Sequence, residues 1–312
     1  MTGEALPVAR ARTILLAFVA IVVVGFAAVV VLYSPGGDLT VQSAPPSTGD
    51  VRMRVEVVSV MPGDYSALLR FRVTEMLPSL LNADGRIASP LRISVTASDG
   101  TEDFIFPAGT ALSRAEVTVG ISGEQSSYPF DRHEAAVAVD ASNVPADLAN
   151  SQTPPEPLAV DADVVGGVAG WDTTARVEQG PAGAALVNLQ FARSFSTKFF
   201  ALLLVVMAFV IAAFSLTVGT ATMTGRQPVD SSIVGWGAAL LFALLALRFY
   251  LPAGPPIGSG IDVFAYMWAT FTAMVGLTMT VTMWLRRRWD TPAPPVESHP
   301  PGHTHEVTRG PE

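Results

Sequence analysis

The chain has 312 residues, half of them apolar, with a formal net charge of −8 and no cysteine. The missing cysteine excludes disulfides, thiolate nucleophiles, Fe–S clusters and Cys-ligated zinc. Lys198 is the sole lysine among nineteen basic residues, which is a codon-usage signature of a GC-rich bacterium more than a chemical one.

In chain order, the first feature is an apolar run at 13–33, preceded by Arg10 and Arg12. At about 21 residues it exceeds the roughly 7 to 15 of a signal-peptide core. It therefore reads as a retained membrane anchor behind a short N-terminus, 1–12. Cleavage after Ala44 would leave Pro45 at the new terminus, and three later apolar runs would remain.

From 36 to 197 the pattern changes to period two, the mark of half-buried strands. Val51, Met53, Val55 and Val57 alternate with Arg52, Arg54 and Glu56, and Leu69, Phe71 and Val73 alternate with Arg70, Arg72 and Thr74. Leu91, Ile93 and Val95 repeat the pattern. Further strands are expected at 104–106, 115–121, 133–139, 173–177 and 185–191, separated by turn signals such as Pro62-Gly63-Asp64 and Asp99-Gly100. Seven or eight short antiparallel strands predict an all-β sandwich of about 150 residues, enough to hold a core by itself. The proline-rich stretch 143–157 reads as a surface loop. Arginines 52, 54, 70, 72 and 92 fall on polar strand faces, where pairing with carboxylates such as Glu56 and Glu75 is the favoured reading; the alternative is a basic ladder forming an anion or lipid-headgroup site, against which the domain's net negative charge counts.

Between Asp38 and Lys198 stand twenty acidic and eleven basic side chains, a net of minus nine. Such a domain repels nucleic acid and anionic headgroups.

Within it, Tyr128-Pro129-Phe130-Asp131 reads as a corner leading into the strand at His133. Pro129 extends the backbone of Tyr128, Asp131 accepts backbone hydrogen bonds, and Phe130 fills a core or interface pocket.

Three more apolar runs follow, at 199–217, 233–250 and 263–285, each close to the roughly 20 residues of a bilayer crossing. The fold class is therefore α+β: an extracytoplasmic β-sandwich carried by four transmembrane helices. Arg226 lies between the second and third runs, and Arg286, Arg287 and Arg288 close the fourth. The bias of Lys and Arg to the cytoplasm then places both termini inside and the large domain outside, in the plasma membrane. Arg193 and Lys198, on the outer side, run against this bias. Gly235 and Ala239, with Gly237 nearby, suit a close helix contact of the small-xxx-small kind. Arg248 and Asp262 flank the Pro252–Gly260 loop, and a charge at that depth is costly unless paired. They are expected to form a structural clamp. The tail, 286–312, is proline-rich and reads as disordered; His299, His303 and His305 lie in it without the rigid spacing of a zinc site.

The corner Tyr128–Glu134, the Arg193–Lys198 approach to the membrane, and the Leu251–Gly258 loop followed by Asp262 together resemble an actinobacterial membrane-protein family known only as a domain of unknown function, DUF4436-like. The resemblance covers about 51–288 and implies a mycobacterial-type envelope lineage, with no activity attached. Tyr128-Pro129-Phe130-Asp131 is also similar to the Phe-Pro-Phe-Asp corner of pentameric ligand-gated channels, which likewise set a β-sandwich ahead of a helical pore domain. That corner contacts the helix ends there. This chain departs from those channels in its N-terminal anchor, in having three helices after the sandwich, and in a third crossing of Ala and Leu with no polar stripe.

No Gly-x-Ser-x-Gly elbow and no phosphate-cradling Gly loop with its Lys occurs. The expectation is a non-catalytic accessory or assembly subunit of a cell-envelope complex, needing no cofactor and no metal, its partners the lipid bilayer and either another membrane protein or further copies of itself. The alternatives are an oligomeric transport or channel-like subunit with an extracytoplasmic sensing domain and, third, an envelope-modifying enzyme.

Overall fold

The computed structural model describes residues 37–43, 49–111, 114–144, 155–252 and 254–290, with Ala20 and Ala27. The expected first anchor, the tail beyond Asp290 and most of the 143–157 loop lie outside the described residues.

Twelve strands precede three long helices: β1 (Leu39–Ser43), β2 (Val51–Met61), β3 (Ser66–Met76), β4 (Leu91–Ala97), β5 (Gly100–Phe106), β6 (Arg114–Gly120), β7 (Ser122–Gly123), β8 (Arg132–Asn143), β9 (Glu156–Leu158), β10 (Val160–Val165), β11 (Trp171–Gln179) and β12 (Ala185–Arg193), then α1 (Phe195–Met223), α2 (Ser231–Phe249) and α3 (Met267–Asp290). A π-helical turn, Asp262–Tyr266, leads into α3. The fold is mixed α+β, with its helices C-terminal to the strands.

Two sheets face each other. One runs β10-β2-β3-β6; the other runs β1-β11-β12-β8-β4-β5, with β7 and β9 also paired to β8. Inward residues follow the two-residue period: Val51, Met53 and Val55 on β2, Ala135, Val137 and Val139 on β8, and Val187, Leu189 and Phe191 on β12 are all buried. Most pairings are antiparallel as expected, but β1 lies parallel to β11 and β10 parallel to β2. The expectation of a purely antiparallel sandwich is corrected accordingly.

Three helices are long and apolar enough to cross a membrane: Phe195–Met223, Ser231–Phe249 and Asp262–Trp289. The first begins four residues earlier than its apolar run and ends six later, because Ser194, Ser196 and Thr197 supply the polar start that a helix needs and Thr217, Thr220, Thr222 and Thr224 return their hydroxyls to carbonyls of the same helix or its last turn.

The chain forms two compact units. One holds the β domain with the helix segments up to Phe209 and Leu244–Ala269; the other holds Val210–Ala243 and the chain from Thr270. Within the second unit α1 and α3 meet through small residues. Gly219 and Gly276 have no room for a Cβ, and the Ser215 hydroxyl donates to the Ala273 carbonyl at 2.9 Å. This is the close contact that small residues permit, but its positions differ from those expected. Gly235 faces open space and Ala239 is exposed, whereas Gly237 packs on Leu277.

Candidate functional site

The inward alternation of β12 runs Ala185, Val187, Leu189, Phe191 and then Arg193. The period that buries four apolar side chains thus carries an arginine into the core. Arg193 is only 2% exposed. A buried guanidinium demands a partner, and Asp131 supplies it from the segment entering β8. Arg193 Nε lies 3.1 Å from both carboxylate oxygens and Nη2 3.0 Å from Oδ2. His133, fully buried on the core side of β8, places Nε2 3.0 Å from the same Oδ2.

Burial pushes the Asp131 carboxyl up, but the hydrogen bonds of His133 and Arg193 outweigh it, and the group sits below its ordinary value. Among the described residues, the Nδ1 of His133 has no hydrogen-bond partner. The guanidinium also lies 4.0 Å from the Trp171 ring centroid and 5.1 Å from that of Tyr128. Aromatic faces on a desolvated cation are attractive, and among the described residues Nη1 has no hydrogen-bond partner.

Immediately after Arg193 the chain enters α1. Ser194 Oγ accepts from the Thr197 amide and so caps the helix. The Ser194 amide and the Thr197 hydroxyl both donate to the Gly170 carbonyl, at 3.0 Å each, on the turn before β11. The helix start is thereby fixed to the sheet by backbone as well as by charge.

The corner itself does three things. Its Tyr128–Pro129 peptide is cis, Pro129 is buried, and Tyr128 points its hydroxyl at the Pro252 carbonyl, 2.9 Å away, in the loop between α2 and α3. Burial pushes the Tyr128 phenol up to about 12, so it remains a donor across the physiological range. One turn earlier, Ser126 presents its carbonyl to Gly260, where an added Cβ would lie 2.8 Å from that oxygen. Only glycine allows the approach. Phe130 is the exception: it is 60% exposed and fills no core pocket. Its amide bonds the Ser127 carbonyl, which turns the side chain outward.

The loop is closed from the helix side by the expected clamp. Arg248 Nη2 lies 2.9 Å from Asp262 Oδ2, and Nε bonds Oδ1. Nη2 also reaches the Pro255 carbonyl, and Asp262 accepts from the Gly258 amide, both at 3.0 Å. Each side chain is 18% exposed. The pair therefore holds both the helix ends and the loop on which Tyr128 rests.

The structure thus places Tyr128, Pro129 and Asp131 in one junction, joins it to the loop held by Arg248 and Asp262, and leaves Phe130 at its rim. Sequence reasoning missed Arg193 and His133; the signal for Arg193 was its place on the inward register of β12. Among the described residues no group of three or more His, Cys, Asp or Glu side chains is placed to hold a metal ion. Elsewhere on the β domain, an open groove of about 610 Å³ lies on the outer face of the larger sheet, with Glu134, Gln190, Asn188 and Arg176 on its walls.

A family model described as Domain of unknown function (DUF4436) matches residues 41–191, and one described as Domain of unknown function (DUF8686) matches 193–287. The β domain is accordingly DUF4436-like, while the Leu251–Gly258 loop and Asp262 fall in the second match and not, as expected, in the first. No curated protein matches the chain. The boundary between the two matches falls beside Arg193, so the Arg193–Asp131 ion pair joins them.

Proposed function

We propose that the chain is a non-catalytic subunit of a plasma-membrane assembly, in which an extracytoplasmic β domain controls the helices, as an oligomeric channel-like or transport-like protein would require. The observation that carries this reading is the fastening of the corner at three points: Asp131 to the start of α1 through Arg193, Tyr128 to the Pro252 carbonyl, and Ser126 against Gly260. Domains joined by a linker alone move independently by default. A domain that only binds partners needs no more than that tether. Here any change in the corner is delivered to two helix ends together, and a ligand that favours one arrangement of the β domain would shift the helices with it. The similarity to the corner of pentameric channels points the same way.

A second reading, an accessory or assembly subunit of a cell-envelope complex, is favoured by α2. Its exposed residues include Phe242, Leu245 and Phe249, and no charged residue interrupts the helix before Arg248. A water-filled path needs polar lining.

Reconstitution separates the two. A symmetric homo-oligomer that conducts ions in proteoliposomes, with flux altered by Tyr128→Phe, supports the first. A stoichiometric complex with a different membrane protein and no flux supports the second. Orientation is tested on protoplasts with single introduced cysteines, since the chain has none. Residues of the β domain are expected to react with an impermeant reagent and residues after Arg288 are not.

A further inference from the structure

On the outward face of the smaller sheet, register sets charged side chains opposite one another in rows across the strands. Two rows alternate in sign. Arg52 bonds Glu75 at 2.8 Å and Asp161 at 3.3 Å, and Arg70 bonds Glu116 at 2.9 Å and Glu56 at 3.0 Å. The row between them does not alternate. Asp163 stands opposite Arg54, Arg54 opposite Arg72, and Arg72 opposite Arg114. Arg54 reaches Asp163 only at 3.8 Å, and among the described residues Arg72 and Arg114 have no ion-pair or side-chain hydrogen-bond partner.

Like charges directly opposite on neighbouring strands are destabilising, and a domain with twenty acidic side chains has carboxylates enough to avoid them. The three arginines instead line a recess of about 280 Å³ together with Glu56, Arg70 and Val165. Glu56 is already engaged by Arg70. Neighbouring strands lie about 4.8 Å apart, so Arg54 and Arg114 are about 10 Å apart across Arg72. Three long side chains over that span can converge on one group, and guanidinium forks match carboxylate and phosphate oxygens bidentately.

We propose that Arg54, Arg72 and Arg114 form a binding site for a small, multiply charged oxyanion, a phosphate or a polycarboxylate, carried by a soluble ligand. Position decides against a lipid headgroup. Arg72 is six residues along β3 from Ser66, roughly 20 Å of extended strand. The Ser66 end is the one beside the corner, because the adjoining Pro62 carbonyl takes the Gln125 side-chain amide. The arginine row is therefore remote from the loop that meets the helices.

The test is made on the full chain in neutral detergent, with inorganic phosphate as the probe and chloride at matched ionic strength as the reference. Phosphate is expected to raise the unfolding temperature in a saturating manner that chloride does not reproduce, and calorimetry should give a heat of binding. Arg72→Gln with Arg114→Gln should weaken phosphate binding at least about ten-fold, as expected for about 1.4 kcal/mol. Arg52→Gln, in an alternating row, should leave it intact. Arg72→Glu restores alternation along the row and should raise stability at low salt while abolishing the phosphate response, so loss of binding and loss of folding are distinguished. A response equal to that of chloride, or one that survives in the double variant, overturns the site. Displacement of phosphate by phosphatidylglycerol nanodiscs but not by phosphatidylcholine nanodiscs overturns the soluble source and assigns the arginines to a headgroup.

Discussion

Arg193 and Asp131 form a buried bidentate ion pair in which the arginine ends the last strand before the three apolar helices and the aspartate immediately precedes the strand beside it. The helix that begins two residues after Arg193 is therefore tied by charge to the corner that touches the next helix loop.

Removing one partner of this pair leaves an uncompensated charge in the core. Asp131→Ala or Arg193→Ala is expected to cost roughly 3 to 5 kcal/mol, and replacing both by apolar residues considerably less than the sum. Unfolding of the four proteins of the cycle in detergent checks this. Additive losses would show that the two groups act separately.

Acid should release the same link. The Asp131 carboxyl is held below its ordinary value, so its contribution is complete above the ordinary carboxylate range and is lost as pH falls through the lowered folded value. The acid limb of the stability profile should be shallower in Asp131→Asn than in the parent, at every salt concentration. Identical limbs would exclude Asp131 as the responsible group.

Tyr128 provides a test at the opposite end of the pH scale. With its phenol raised to about 12, the contribution is full below the ordinary tyrosine value and lost as pH rises toward 12. Ultraviolet titration should show a late-ionising tyrosine that disappears in Tyr128→Phe. That variant should lose about 1 kcal/mol for the bond to Pro252, with ion flux or helix arrangement affected more than folding.

Two glycine substitutions should diverge. Gly260→Ala puts a Cβ against the Ser126 carbonyl and is expected to loosen the corner and lower the melting temperature. Gly235→Ala meets open space and should change little or stabilise by up to about 1 kcal/mol. Equal effects at the two positions would contradict the close approach seen here.

Arg248 and Asp262 should show coupling of about 0.5 to 3 kcal/mol in a double-mutant cycle. Strict additivity would show that the two groups act separately and that they form no clamp.

The core strands were legible because burial on one face imposes a two-residue period, and that signal is local. β1 and β10 were not, since a parallel pairing depends on a partner far along the chain: Val160 pairs with Val51 across more than a hundred residues. The same limit explains Phe130. Aromatic character says that a side chain is worth burying, but the direction it takes is set by a turn, here the bond to Ser127. At 60% exposure Phe130→Ala should cost below roughly 1 kcal/mol, and not the roughly 3 to 5 of a buried phenylalanine. The clamp was legible because membrane cost singles out ionisable residues and few occur near the helices. Arg193 was hidden by its own role, since a basic residue at a membrane boundary reads first as a topology marker.

The junction of the two family matches beside Arg193 bears on how such a protein can be taken apart or recombined. A β domain cut at residue 191 would keep Asp131 and His133 in its interior but surrender their counter-ion to the other fragment. Neither portion is electrically complete alone. An interchange of β domains between helical bundles would then have to carry aspartate and arginine as a matched set, and a chimera that respects the sequence boundary but not this pairing should fail at the seam.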